Sequence, residues 1–151
     1  MIFKKIGFTL GLVVLMAGCA TTQLTPLQRR SIEARELEGR YEDAQKATIQ
    51  VFQDYGYIIK NSDYQSGVIQ AESGVKREGL FGVMTNNEIT ATIEQFGENK
   101  VKERITLVNK RKVSSQYGTQ EDSQIIADPQ LFQKMYDDIQ KEMFIRKNLS
   151  K

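Results

Sequence analysis

The chain has 151 residues, 40% of them hydrophobic and 26% charged, which suits one domain and excludes both a disordered and a wholly membrane-embedded protein. Its single cysteine excludes an internal disulfide framework, and the lack of any histidine excludes imidazole metal sites, Ser-His or Cys-His catalysis and imidazole pH switching. The formal charge is +2.

The first residues differ in kind from the rest. Lys4 and Lys5 precede an uncharged run from Ile6 to Ala17. As a helix that run would span about 18 Å, short of the roughly 30 Å hydrocarbon core of a bilayer. A cationic start, a short apolar stretch and small residues at its end read as a secretory signal. The segment Leu15-Met16-Ala17-Gly18-Cys19 resembles the bacterial lipobox, in which small residues admit the backbone to a peptidase and the cysteine thiol takes a diacylglyceryl group. Met16 stands where the lipobox usually has Leu. The competing reading is a plain membrane-anchor helix with an incidental cysteine. The lipobox resemblance implies a signal peptide over 1–18 and a lipidated Cys19. Its removal takes away Lys4 and Lys5, so the 21 Lys+Arg fall to 19 and equal the 19 Asp+Glu. A neutral mature chain argues against nucleic acid as a partner. Ala20 follows the cysteine, where an Asp would resemble an inner-membrane retention signal; the resemblance therefore implies an outer-membrane anchor in a two-membrane bacterium, and leaves open its side, with the periplasmic side favoured over the surface.

Residues 19–30 are polar and short and read as a tether, leaving 31–151 as a single domain. An N-terminal helix is the alternative there, with Thr25 as N-cap and Pro26 at its first position. A strand is expected over about Ser31 to Leu37. From Tyr41 to Tyr55, Tyr41, Ala44, Ala47, Thr48, Val51, Phe52 and Tyr55 fall on one helical face, and Gly56 stops the helix. Tyr57–Lys60 is a short strand closed by Asn61-Ser62-Asp63, and another begins at Gly67 with Val68, Ile69 and Ala71.

The stretch Gly74–Met84 is expected to be a loop joining two strands, yet it carries four apolar side chains, Leu80, Phe81, Val83 and Met84. These residues either plug the end of the core or form an exposed tip that touches membrane or a partner. It is no phosphate loop, since it lacks a Gly-Lys-Ser/Thr ending. Glu88–Glu94 alternates strictly, with Ile89, Ala91 and Ile93 on one face. Lys102 to Val113 returns, with Ile105 and Leu107 inward. Polar residues from Gln116 to Ala127 read as a loop. Asp128-Pro129 then caps a helix whose stripe includes Leu131, Phe132, Met135, Tyr136, Ile139 and Met143.

The expected fold class is therefore α+β: a two-layer sandwich with an antiparallel sheet of four to five strands and two helices on one face, in the order (β)αββββα. The opposite sheet face, with Thr90, Thr92, Glu94, Lys102, Arg104 and Thr106, is expected to be solvated.

The pattern Ala44-x-x-Ala47-x-x-x-Val51-Phe52-Gln53-Asp54-Tyr55-Gly56-Tyr57-x-Ile59, followed by Ser62-Asp63 and Gly67-x-Ile69-x-Ala71, resembles one that recurs in small bacterial lipoproteins. The helix-grip repeats of the BamC lipoprotein, an accessory of the outer-membrane β-barrel assembly machine, have a similar arrangement. The resemblance covers about thirty residues, implies a helix-grip fold and offers an accessory role in assembly. It supplies no catalytic residues.

No catalytic constellation is evident. Without histidine, nucleophilic catalysis would need a Ser-Lys or Thr-Lys frame, and none stands out. Glu36-Glu38, Glu42-Asp43 and Asp137-Asp138 read as solvated faces. Glu121-Asp122 lacks the further ligands a calcium site needs. Lys110 and Lys112 share a strand face with Arg111 opposite, as befits a charged strand that discourages aggregation; an anionic lipid or acidic partner is the sharper alternative. The expectation is a lipid-anchored, non-enzymatic envelope lipoprotein with no cofactor and no metal, joined to the membrane through Cys19 and to an envelope protein partner. The alternative is a carrier of a small hydrophobic ligand, with Tyr41, Phe52, Tyr55, Phe132 and Tyr136 lining a cavity between helices and sheet.

Overall fold

The computed structural model describes residues 24–78 and 83–149. Two of the three helices among these residues were legible from the sequence, and the third takes up the expected tether and the first residues of the expected strand. Helix α1 (Pro26–Glu33) is set by a capping box: the Gln28 backbone N–H donates to Thr25 Oγ1 at 3.3 Å, and the Thr25 N–H donates to Gln28 Oε1 at 2.9 Å. Pro26 at its first position has no N–H to leave orphaned. Only after this turn does the chain extend, as β1 (Ala34–Glu38).

Helix α2 (Tyr41–Asp54) buries Ala44, Ala47, Thr48, Val51 and Phe52, and Gly56 follows with φ +82°. Two polar residues assigned to its solvated faces are buried instead. Arg40 clamps Asp43 from outside, and Gln45 donates to the Asp63 carbonyl at 3.1 Å. Helix α3 (Pro129–Leu149) begins where the Asp128 carboxylate accepts from the backbone N–H groups of Gln130 and Leu131, and it buries Phe132, Met135, Tyr136, Ile139 and Met143.

Among the described residues the sheet is antiparallel and has seven strands rather than four or five. Beyond β1 these are β2 (Tyr57–Asp63), β3 (Val68–Ser73), β4 (Lys76–Glu78), β5 (Val83–Gln95), β6 (Lys100–Ser115) and β7 (Gly118–Ile126). The main order is β1-β6-β5-β3-β2, with β4 added to β5 and β7 added to β6. The segment expected to be a loop after Gln116 is β7, paired with β6 from Ser115↔Gly118 to Leu107↔Ile126. Much of the 74–84 stretch is also strand: Glu78↔Val83 and Arg77↔Met84 pair across its hairpin.

Burial alternates along the central strands. Ile89, Ala91 and Ile93 on β5 and Val101, Glu103, Ile105 and Leu107 on β6 are at most 2% exposed and form one core with the α2 and α3 stripes. Thr90, Thr92, Lys102, Arg104 and Thr106 take the other, more open face, as expected. Gly67 is where backbone meets backbone: it has φ +69°, its carbonyl accepts from the Ile93 N–H at 2.9 Å, and a Cβ there would lie 2.1 Å from the Ile93 carbonyl oxygen.

One edge of β6 is shared by two strands. β1 covers Lys100–Arg104 and β7 covers Leu107–Ser115, which leaves Ile105 and Thr106 between them. A side chain closes the gap: the Ile105 N–H donates to the Tyr136 hydroxyl at 3.1 Å, and that hydroxyl donates to the Glu33 carbonyl, where α1 passes into β1. The Ile105 N–H and the Tyr136 hydroxyl are thereby both satisfied within a buried site.

Candidate interaction surface

The cross-strand register divides the sheet into a covered part and an arm. On the helix-facing side, the last row packed into the core is Ile89–Leu107–Ile126. The next rows on the same face are Asn87–Asn109–Gln124, then Thr85–Arg111–Asp122, then Val83–Val113–Gln120. Past the row of Ile89, no described residue of β5, β6 or β7 is buried. Eight residues of β6 beyond Leu107 carry the arm on the order of 25 Å from that row. The strands continue because each pairs with its neighbour, while neither face of the arm lies beneath a helix layer.

The two faces differ in chemistry. On the outer face the two β6 lysines are paired, Lys110–Glu88 at 2.5 Å and Lys112–Glu121 at 2.8 Å, while Arg77, opposite Met84 on that face, forms no ion pair among the described residues. A shallow hollow of about 310 Å³ there is lined by Val75, Met84, Asn86, Lys110 and Lys112, among others. On the inner face, Thr85, Asn109, Arg111, Asp122 and Gln124 line an open cleft of about 390 Å³. At the end of the β6–β7 hairpin Tyr117 is 90% exposed, and Val75, just before β4, is 62% exposed.

The residues singled out from the sequence fall as follows. Val83 and Met84 are half-buried strand residues on opposite faces of the arm, so they are neither a deep core plug nor the tip of a free loop. Leu80, Phe81 and Cys19 lie outside the described residues. Lys110 and Lys112 do share a face with Arg111 opposite, and both are paired with carboxylates. Of the aromatic set offered as a cavity lining, Phe52, Phe132 and Tyr136 are at most 1% exposed and sit in the core cluster. The Tyr41 hydroxyl donates to the Tyr64 carbonyl at 2.7 Å, and the Tyr55 hydroxyl donates to Asp138 at 2.9 Å.

A polar cluster inside the core escaped the sequence reading. Glu103 is fully buried beside Thr48, whose Oγ1 lies 2.8 Å from both Glu103 Oε1 and the Ala44 carbonyl oxygen. A threonine hydroxyl has one proton, and the Ala44 carbonyl can only accept. Both contacts are hydrogen bonds when Glu103 is protonated and donates to Thr48, which then donates to Ala44. Burial agrees, pushing the Glu103 carboxyl up to about 8, against a smaller downward effect from Thr48. Its Oε2 has no hydrogen-bond partner among the described residues. The signal was present in the strand parity, since Glu103 shares its face with Ile105 and Leu107. Glu33, also buried, is instead ion-paired, 2.9 Å from Arg104.

Among the described residues no helix is long and apolar enough to cross a membrane, and no group of three His, Cys, Asp or Glu is placed to hold a metal ion. No protein-family model matches the chain, and no curated protein resembles it closely enough to count as a relative.

Proposed function

We propose that the chain is a lipid-anchored, non-enzymatic lipoprotein of the bacterial outer membrane, acting as an interaction module in an envelope assembly, and that the β-arm is the surface it presents. The arm is the observation that carries this reading. Folding alone gives little reason to prolong β5, β6 and β7 past the last row packed into the core, because burial contributes little there. A ladder of that length with both faces uncovered provides area for a partner. The sole cysteine, standing after Leu15-Met16-Ala17-Gly18, supports the anchor, and two or more acyl chains would make it stable. The filled aromatic core favours an interaction module over the carrier alternative. The BamC-like helix and strand pattern extends the reading to an accessory role in outer-membrane assembly.

The test has two arms. Cys19→Ser is expected to abolish labelling by a fatty-acid analogue and to release the protein from the outer-membrane fraction; continued processing and fractionation with that membrane would refute the anchor. Independently, a photo-crosslinking residue at Tyr117 or Met84 is expected to capture a discrete envelope protein in cells, whereas one at Thr92, over the core, is not. Equal capture at all three positions would remove the arm from the interaction.

A further inference from the structure

We propose that the inner cleft at the foot of the arm binds an α-amino-acid group, a free carboxylate and a free ammonium carried on one carbon. The contrast between the two faces motivates this. Outside, the two β6 lysines close on cross-strand carboxylates. Inside, Arg111 and Asp122 are direct register partners, yet neither forms an ion pair or side-chain hydrogen bond among the described residues. Adjacent strands lie about 4.8 Å apart, so a guanidinium and a carboxylate of opposite charge rise side by side. An anion alone would meet Asp122, and a cation alone would meet Arg111. A group bearing both charges satisfies each: the planar guanidinium takes the carboxylate through two hydrogen bonds, and Asp122 takes the ammonium.

The neighbouring row supplies the rest of the site. Asn109 donates to Asn87 at 2.7 Å, which fixes its amide, and its carbonyl and the Gln124 amide remain to meet polar atoms attached to the zwitterion. The cleft's volume of about 390 Å³ is that of a small-molecule site. Two sources would offer this chemistry: a free amino acid, or the amino-acid end of a larger envelope molecule. The inference does not rest on the anchor at Cys19.

The experiment follows the side-chain amide resonances of Asn87, Asn109 and Gln124 in the full-length protein, held in detergent micelles, during titration with alanine, alaninamide, N-acetylalanine and ε-N-acetyllysine. Alanine is expected to bind saturably. Blocking either charge is expected to weaken binding by about tenfold or more, about 1.4 kcal/mol for each factor of ten. Arg111→Gln should level alanine with alaninamide, and Asp122→Asn should level it with N-acetylalanine; both residues are exposed, so melting temperatures should not move. Tighter binding of ε-N-acetyllysine than of alanine would assign the site to the end of a larger molecule, and equal or weaker binding to a free amino acid. The proposal is overturned if no probe gives a saturable shift at millimolar concentration, if blocked probes bind as well as alanine, or if neither substitution changes the ranking.

Discussion

The Glu103 carboxyl is buried without a counter-charge, and this gives the fold a defined response to pH. Its folded-state value of about 8 lies above the ordinary 4.5, so between those two pH values the folded chain holds a proton that the unfolded chain has lost. Stability is therefore greatest below the lower value and falls as pH rises through the window, by at most about 1.4 kcal/mol per pH unit. With no histidine in the chain, few other groups titrate there. Urea midpoints at pH 5.5 and 8 are expected to show the fall, and Glu103→Gln to flatten it; a wild-type midpoint that rises with pH would contradict the protonated assignment. Tyr136 acts at the same scale by a different route. Tyr136→Phe keeps the ring but orphans the Ile105 N–H and removes the donor to Glu33, at a cost of about 1–3 kcal/mol. Faster amide exchange at Ile105, but not at Ala91, is the expected signature.

At the scale of elements, the two amphipathic helices and the sheet face between them carry the apolar burial. Phe52→Ala in α2 or Ile139→Ala in α3 should cost about 2–5 kcal/mol, since both are 0% exposed and leave cavities. Thr92→Ala, on the outer face, should change stability by no more than about 0.5 kcal/mol. Chemical denaturation of the three variants checks the assignment of faces, and equal effects would contradict it. Gly67 joins β3 to the core by a close approach rather than a side chain. Gly67→Ala forces a non-glycine residue to φ +69° and drives its Cβ into the Ile93 carbonyl oxygen, so a loss upward of about 2 kcal/mol is expected in the same assay.

For the molecule as a whole, the structure joins a covered body to an arm held by ladder hydrogen bonds and a few cross-strand side-chain pairs. Local opening follows buried contact, so amides of β7 and the distal half of β6 should exchange through low-energy openings while Ile89–Ile93 exchange only with global unfolding. A native-state exchange series in dilute denaturant would separate the two classes. A partner bound along the arm would bring its exchange toward that of the body, which ties the measurement to the proposed role.

The elements legible from sequence were those that bury one face. The α2 and α3 stripes and the alternation around Ile89 and Ile105 follow from the periods of 3.6 and 2, because a covered face must be apolar wherever it lies. Asp128-Pro129 likewise marked a helix start through local hydrogen bonding alone. The last strand of the arm gave no such signal: with neither face beneath a helix, β7 has no need of apolar alternation, and Gly118 to Ile125 reads as a polar loop until β6, expected as a strand as far as Val113, is placed beside it. Helix α1 depended on one capping box weighed against extended alternatives. Glu103 and Arg111–Asp122 needed more than pattern. Burial of the first is fixed by α2 closing over β6 through Thr48, and the pairing of the other two by the register of two strands. Sequence determined which faces are apolar, because that is a property of each segment; the neighbours of each polar group were decided only when distant segments met.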